Sequence, residues 1–199
     1  MEFITVSEVK TYLGITGSSE DTNLGTLVDS VNTFIPNYTN RTWDLTTYTE
    51  ELYDGSGHAA LILKNRPVVS ISEILVNTEE VTERSDVNEI GWFVYDYDQG
   101  IVYNNNLWTR GRGNIQVSYI AGYEDADALP SDLKHACLEL ASFFRTMRGK
   151  SGIVSEALGS YSYSLMNNPA SFGLLDIPDV TIRLILDKYK ELGIPWDVF

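Results

Sequence analysis

Apolar residues recur with one period at the two ends of this chain and with another in its middle, and that switch limits the fold more than any single motif. Leu24, Leu27, Val28, Val31, Ile35 and Tyr38 return every three or four residues, the spacing that lines one face of a helix. Leu133, Ala136, Cys137, Leu140, Phe144 and Met147 do the same further on, and Ile182, Ile185, Leu186, Tyr189 and Leu192 repeat it. From about Trp43 to Tyr123 the alternation is two-residue, in segments rich in β-branched and aromatic side chains. Helices, then strands, then helices predict an α+β fold: a helical bundle formed by N- and C-terminal helices, with an inserted antiparallel β-sheet or small barrel.

Local signals set the boundaries. Thr5-Val6-Ser7-Glu8 reads as a capping box, and the helix it opens runs through Leu13 to a stop at Gly14. A second helix opens at Ser18 and Ser19, with Glu20 and Asp21 complementing its dipole, and Pro36 predicts a kink or an early stop near Ile35. Six strands are expected in the middle. Asp54-Gly55-Ser56-Gly57 reads as a turn before Ala60 to Leu63, and Trp92 to Tyr95 with Ile101 to Tyr103 reads as a hairpin tipped by Asp98-Gln99-Gly100. Asn114 to Ile120 places Ile115, Val117 and Tyr119 on one face. Pro130 suits the first turn of the next helix, and the last one starts near Pro178 and Asp179. The resulting division is 1–42 for the N-terminal helices, 43–123 for the β insertion, 124–192 for the C-terminal helices, and 193–199 for a tail. Residues 149–176 form a long connection without helical period, in which Tyr161, Tyr163 and Leu165 alternate with serines.

The 199 residues include 28 Asp and Glu against 14 Lys and Arg, a formal net charge of −14. Such a balance argues against a protein that grips nucleic acid by neutralising phosphates, and against docking on anionic lipid. A lone Cys137 excludes an intramolecular disulfide framework. The opening MEFITVSEVK lacks the basic and long apolar regions of a signal peptide, and no window is apolar enough to span a membrane.

Chemistry-bearing patterns are sparse. Gly55 to Ala60 loosely fits a dinucleotide loop, but a strand follows it rather than a helix, so a hairpin turn is the expectation. Asp96-Tyr97-Asp98-Gln99-Gly100 lacks the ligand spacing of a calcium loop, and Glu124, Asp125 and Asp127 with Asp132 read as a solvated loop and helix start rather than a cation site. His58 stands alone, His135 borders an apolar stripe as a partly covered packing residue, and Cys137 falls on a buried face. Arg110-Gly111-Arg112 is the single basic knot and is expected in a turn between strands. No nucleophile, base and orienting group assemble at credible spacing, so catalysis, cofactor and metal are not expected.

Several ordered segments nevertheless form a recognisable series. Val6 to Ile15 and the helix ending Tyr38-Thr39-Asn40-Arg41-Thr42 come first, followed by Tyr53 to Gly57, Leu61 to Val68 and Ile71 to Ile74. Val117-Ser118-Tyr119-Ile120-Ala121-Gly122-Tyr123, Leu129 to Ala136 and Leu158 to Ser162 complete it. In order and spacing this resembles the head–tail connector (adaptor, or head-completion) proteins of long-tailed bacteriophages. The resemblance implies a virion protein at the head–tail interface, made in the host cytoplasm, that forms a ring, a dodecamer in the virion, under the portal protein. It implies a stopper or tail-completion protein as the next partner, and packaged DNA passing through without specific binding. An acidic lumen suits that passage. The alternatives are a stopper or tail-completion protein, or a carbohydrate- or ligand-binding module suggested by 12 tyrosines and 4 tryptophans, for which an exposed aromatic row would be the sign.

Two segments are candidate contact sites. In Ile194-Pro195-Trp196-Asp197-Val198-Phe199, Pro195 forbids helix, and an extended strand would put Ile194, Trp196 and Val198 on one face. These with Phe199 either fold back on their own subunit or dock on a neighbour or the portal, the reading the resemblance favours. Tyr161, Tyr163 and Leu165 are the candidate inter-subunit loop.

Overall fold

The computed structural model describes residues 1–148, 155–158, 161–164 and 180–191. Two compact units emerge, one from Met1–Arg41 with the described residues of Leu129–Leu192, the other from Thr42–Ala128.

In the first unit, helices α1 (Val6–Leu13), α2 (Asp21–Thr39), α3 (Ser131–Arg148) and α4 (Val180–Tyr189) pack against one another. The capping box at α1 is complete: the Thr5 hydroxyl accepts from Glu8 N at 3.3 Å, and Thr5 N donates to the Glu8 carboxylate at 2.8 Å. Gly14 ends α1 at φ 65°. Of the two outcomes expected of Pro36, a kink or an early stop, the early stop does not occur. Helix α2 continues to Thr39, because Ile35, Tyr38 and Thr39 are all buried. Burial of two such large side chains contributes roughly 1.5–3 kcal/mol each, enough to offset the roughly 3 kcal/mol that an internal proline costs. The Thr39 hydroxyl also donates to Ile35 O at 2.8 Å. Pro130 lies one position earlier than expected, its carbonyl accepting from Lys134 N at 3.1 Å as the residue before the first turn of α3. Helix α4 buries Ile182 and Leu186. Asp132 fastens it by accepting from Tyr189 Oη at 2.5 Å and Lys188 Nζ at 2.9 Å.

The stretch read as a connection without structure contains a hairpin, β8 (Ser155–Leu158) against β9 (Tyr161–Ser164).

The second unit holds two open antiparallel sheets, and neither closes into the small barrel that was one expectation. Strands β1 (Thr46–Gly55), β7 (Gly111–Ala121), β3 (Val68–Val76) and β4 (Glu79–Glu80) form the first, in the order β1-β7-β3-β4. Strands β2 (Ala60–Ile62), β6 (Ile101–Asn104) and β5 (Trp92–Asp96) form the second, in the order β2-β6-β5. Inward residues of both share one core with Trp108, among them Leu61, Ile74, Trp92, Val102, Ile115 and Val117. The β5–β6 hairpin and the buried face of β7 match the sequence pattern.

The turn expected between β1 and β2 is not a hairpin. Strand β1 pairs with β7 and β2 with β6, so Ser56 to Ala59 carries the chain from one sheet to the other. Gly55 is a glycine because a Cβ there would lie 1.8 Å from Thr109 O. Arg110-Gly111-Arg112 is no free turn either, since Gly111 and Arg112 begin β7. The two ends of the unit are joined: Leu45 N donates to Tyr123 O and Tyr123 N to Trp43 O, each at 2.9 Å, and the Trp43 and Tyr123 rings stack at 5.9 Å.

Candidate functional site

Buried polar groups mark one centre in the β unit. Tyr53 on β1 and Tyr119 on β7 bring their hydroxyls within 2.9 Å of each other inside the core. Both donate to the same Glu51 carboxylate oxygen, at 2.6 and 2.5 Å. Lys64 N reaches Tyr53 Oη at 3.0 Å, and Asn65 Nδ2 reaches Tyr119 Oη at 3.0 Å. Burial pushes both phenols well above the usual tyrosine range, and the bonds to Glu51 push the same way. Phenols held protonated are hydrogen-bond donors, not nucleophiles. The cluster therefore clamps two strands to the loop after β2.

His135 is more open than expected, with Nε2 3.3 Å from Glu139 and its ring edge-on to Tyr12. Cys137 is buried, which pushes its thiol up to about 12. Among the described residues no three His, Cys, Asp or Glu side chains gather as metal ligands, and no helix is long and apolar enough to cross a membrane.

The surfaces are more informative. Residues 42–128 carry 15 of the acidic side chains and only 5 basic ones, so most of the charge imbalance resides in the β unit. On the outward face of its three-stranded sheet stand Phe93, Tyr95 and Tyr103, the aromatic row that a ligand-binding module would require. Their arrangement does not suit a stacking platform. Tyr95 is turned 81° to Tyr103, and the Arg84 guanidinium already covers the Phe93 ring at 3.7 Å. The row packs on itself.

The sequence reading passed over the segment between β4 and β5. Glu89 accepts from Ser85 N at 2.8 Å, from the Ser85 hydroxyl at 2.9 Å and from Asp86 N at 3.2 Å. Asp86 accepts from Asn88 N at 2.9 Å, and Asn105 bridges Gly91 N and Glu89 O. This locked loop holds Val87 and Ile90 in solvent, 79% and 72% exposed. Two aliphatic residues in a polar run with neither helical nor strand period were the available signal. In the helical unit, Val180 and Leu184 lie one turn apart on α4 and are each 64% exposed.

Of the candidate contact residues, Tyr161 and Tyr163 lie in β9, paired through the backbone with Leu158 and Glu156. Leu165, Ile194, Trp196, Val198 and Phe199 lie outside the described residues.

The family described as head completion protein matches residues 2–192. No curated protein matches the chain. Among solved structures, it is similar to a chain in the neck of an empty gene transfer agent (GTA) particle computed with C6 symmetry, at 17% identity and a TM-score of 0.50, covering 96% of this chain and 91% of that one. A chain in the neck of the native GTA particle, computed with C12 symmetry, matches at 14% identity and a TM-score of 0.50, over 95% and 89% of the two chains. A chain of the native GTA virion matches at 15% identity and 0.50, over 96% and 91%. At these identities the likeness is one of fold.

Proposed function

The chain belongs to the head completion protein family, and from that premise we propose that it serves as a ring adaptor between the portal protein and the tail or stopper, extending the channel through which DNA passes. The observation that carries this reading is the family match over nearly the whole chain. The likeness to neck chains of particles computed with sixfold and twelvefold symmetry supports a ring of copies, and the acidic β unit suits a wall along which DNA slides without being held. The role is structural. A stopper or tail-completion protein is the neighbouring alternative, separated by whether the purified protein binds the portal directly.

Assembly provides the test. Twelve copies at −14 each repel one another, so the protein is expected to sediment as a monomer at low salt. Rings are expected at raised salt, at high concentration, or on portal-containing heads, where negative-stain micrographs would show them. A tight, salt-insensitive dimer overturns the adaptor reading. Duplex DNA should not bind appreciably at physiological salt, and tight binding with a steep salt slope would remove the channel argument.

The segment Ile194 to Phe199 is the proposed docking strand, adding to a sheet edge of the portal or of a neighbouring copy, and Tyr161, Tyr163 and Leu165 belong to the proposed inter-subunit loop. Deleting residues 194–199 is expected to leave a folded monomer of nearly unchanged melting temperature that no longer joins portal-containing heads. Unfolding of the deletion variant, or its normal attachment, would return the segment to its own subunit's core.

A further inference from the structure

The five basic side chains of the β unit divide into two groups. Lys64 is engaged with Glu51 at 3.8 Å, Arg66 with Gln99 at 3.5 Å, and Arg84 with the Phe93 ring. Arg110 and Arg112 are exposed, and among the described residues their guanidinium groups have no hydrogen-bond, ion-pair or aromatic partner. They flank Gly111, where a Cβ would lie 2.7 Å from Asn114 Cγ, so strand alternation turns both arginines to the opposite, open side. Three residues before Arg110 stands Leu107, 53% exposed at φ 62°. Left-handed backbone costs a leucine roughly 1–2 kcal/mol, and nothing in its own subunit covers that side chain in return. The turn is nonetheless fixed: Leu107 N donates to Asn104 O at 3.1 Å, and Asn104 Nδ2 donates to Leu107 O at 3.3 Å. Charge of the other sign is equally uncompensated beside β4. Glu79, Glu80 and Glu83 are exposed, and among the described residues no cation or hydrogen-bond donor reaches their carboxylates. Their backbone is held as well, since β4 pairs with β3 and Arg84 N donates to Trp92 O at 2.9 Å.

Each set lacks a partner in its own copy, and every copy carries both. We propose that Leu107, Arg110 and Arg112 of one copy dock on Glu79, Glu80 and Glu83 of a second copy. The guanidinium forks take the carboxylates, and Leu107 is the apolar anchor of the contact. An exposed leucine beside the arginines suits a protein surface and adds nothing to a grip on phosphate. Both segments are fixed in advance, so docking orders little new chain. The contact joins unlike patches, so it is heterologous and repeats head to tail, which is how rings are built. It rests on the ring reading and specifies which surfaces of the copies meet. Salt screens the long-range repulsion between acidic copies more than it screens close pairs, so the contact is compatible with assembly at raised salt.

Charge exchange tests it. The double variant Arg110→Glu with Arg112→Glu, and the double variant Glu79→Arg with Glu80→Arg, should each melt like the wild type, because all four side chains are exposed and without partners. Each alone should need a roughly tenfold or more higher protein concentration to form rings. An equimolar mixture of the two should assemble near the wild-type concentration, since every junction then pairs opposite charges, and a chain carrying all four substitutions should do the same. Leu107→Gly relieves the left-handed backbone, so it should melt no lower than the wild type while still weakening the ring. Rings of either double variant at wild-type concentrations overturn the contact. So does failure of both the mixture and the fourfold variant to assemble, which would give the arginines to another partner, and both results leave the ring adaptor standing. If the wild type forms no ring in any salt and none on portal-containing heads, the adaptor reading itself fails and this contact falls with it.

Discussion

Replacing Gly122 by alanine is expected to destabilise the β unit by about 4 kcal/mol, lowering its calorimetric melting temperature by roughly 10 °C or more. Gly122 adopts φ +109°, a region that L side chains rarely enter. A Cβ there would lie 2.3 Å from Asp44 O and 2.7 Å from Asp44 C, and neither backbone atom can step aside. Both flanks are fixed, because Gly122 N donates to Pro67 O at 2.9 Å and Tyr123 N to Trp43 O. Gly14 provides the control. Its φ of +65° is left-handed, but nothing lies within 4 Å of a Cβ, so Gly14→Ala should cost only about 1–2 kcal/mol. Equal melting of the two variants would mean that the close approach at Asp44 does not exist. The comparison also gives a physical reason for the glycine of Ala121-Gly122-Tyr123, one of the segments that carried the family resemblance.

Alkaline unfolding is the second large effect. Tyr53 and Tyr119 are raised by burial, so the folded protein holds their protons more tightly than the unfolded chain does. Their contribution to stability is complete below the unfolded tyrosine pKa of about 10 and is lost as pH rises above it toward the folded values. Each pH unit above 10 should remove about 1.4 kcal/mol per buried phenol, or roughly 5 kcal/mol for the pair by pH 12. Phenolate absorbance should therefore show two of the 12 tyrosines ionising only as the sheet signal in circular dichroism disappears. Smooth titration of all the tyrosines with the sheet intact would rule out the cluster around Glu51.

Local chemistry was legible from the sequence, and partner choice was not. The capping box at Thr5, the glycine stop at Gly14, the β5–β6 hairpin and the buried face Ile115, Val117, Tyr119 each depend on residues within a few positions of one another. Strand β1 alternates as well as any hairpin strand, yet its partner β7 lies some 65 positions away, and alternation specifies a face without naming a neighbour. Strand β4 was missed because its turn places Asn77 and Thr78 at φ 51° and 71°, and a β-branched residue there is contrary to expectation. The early stop allowed for at Pro36 does not occur, since burial of the last turn of α2 outweighs a local penalty. The Glu51 cluster could not be read as a unit, because Tyr53, Asn65 and Tyr119 meet only through the fold. The exposed pair Val87 and Ile90 was passed over because a search for periods discards residues that obey none.

The joined ends at Trp43 and Tyr123 bear on the order in which the molecule forms. Helices α1 and α2 are synthesised before the β unit, and their partner α3 only after it. Bringing α2 and α3 together across an unstructured span of about 80 residues would cost roughly 4 kcal/mol in chain entropy. Once Tyr123 is fastened beside Trp43, that span behaves as a short link and the contacts of the β unit have already met the cost. The helices made first on the ribosome are thus completed last.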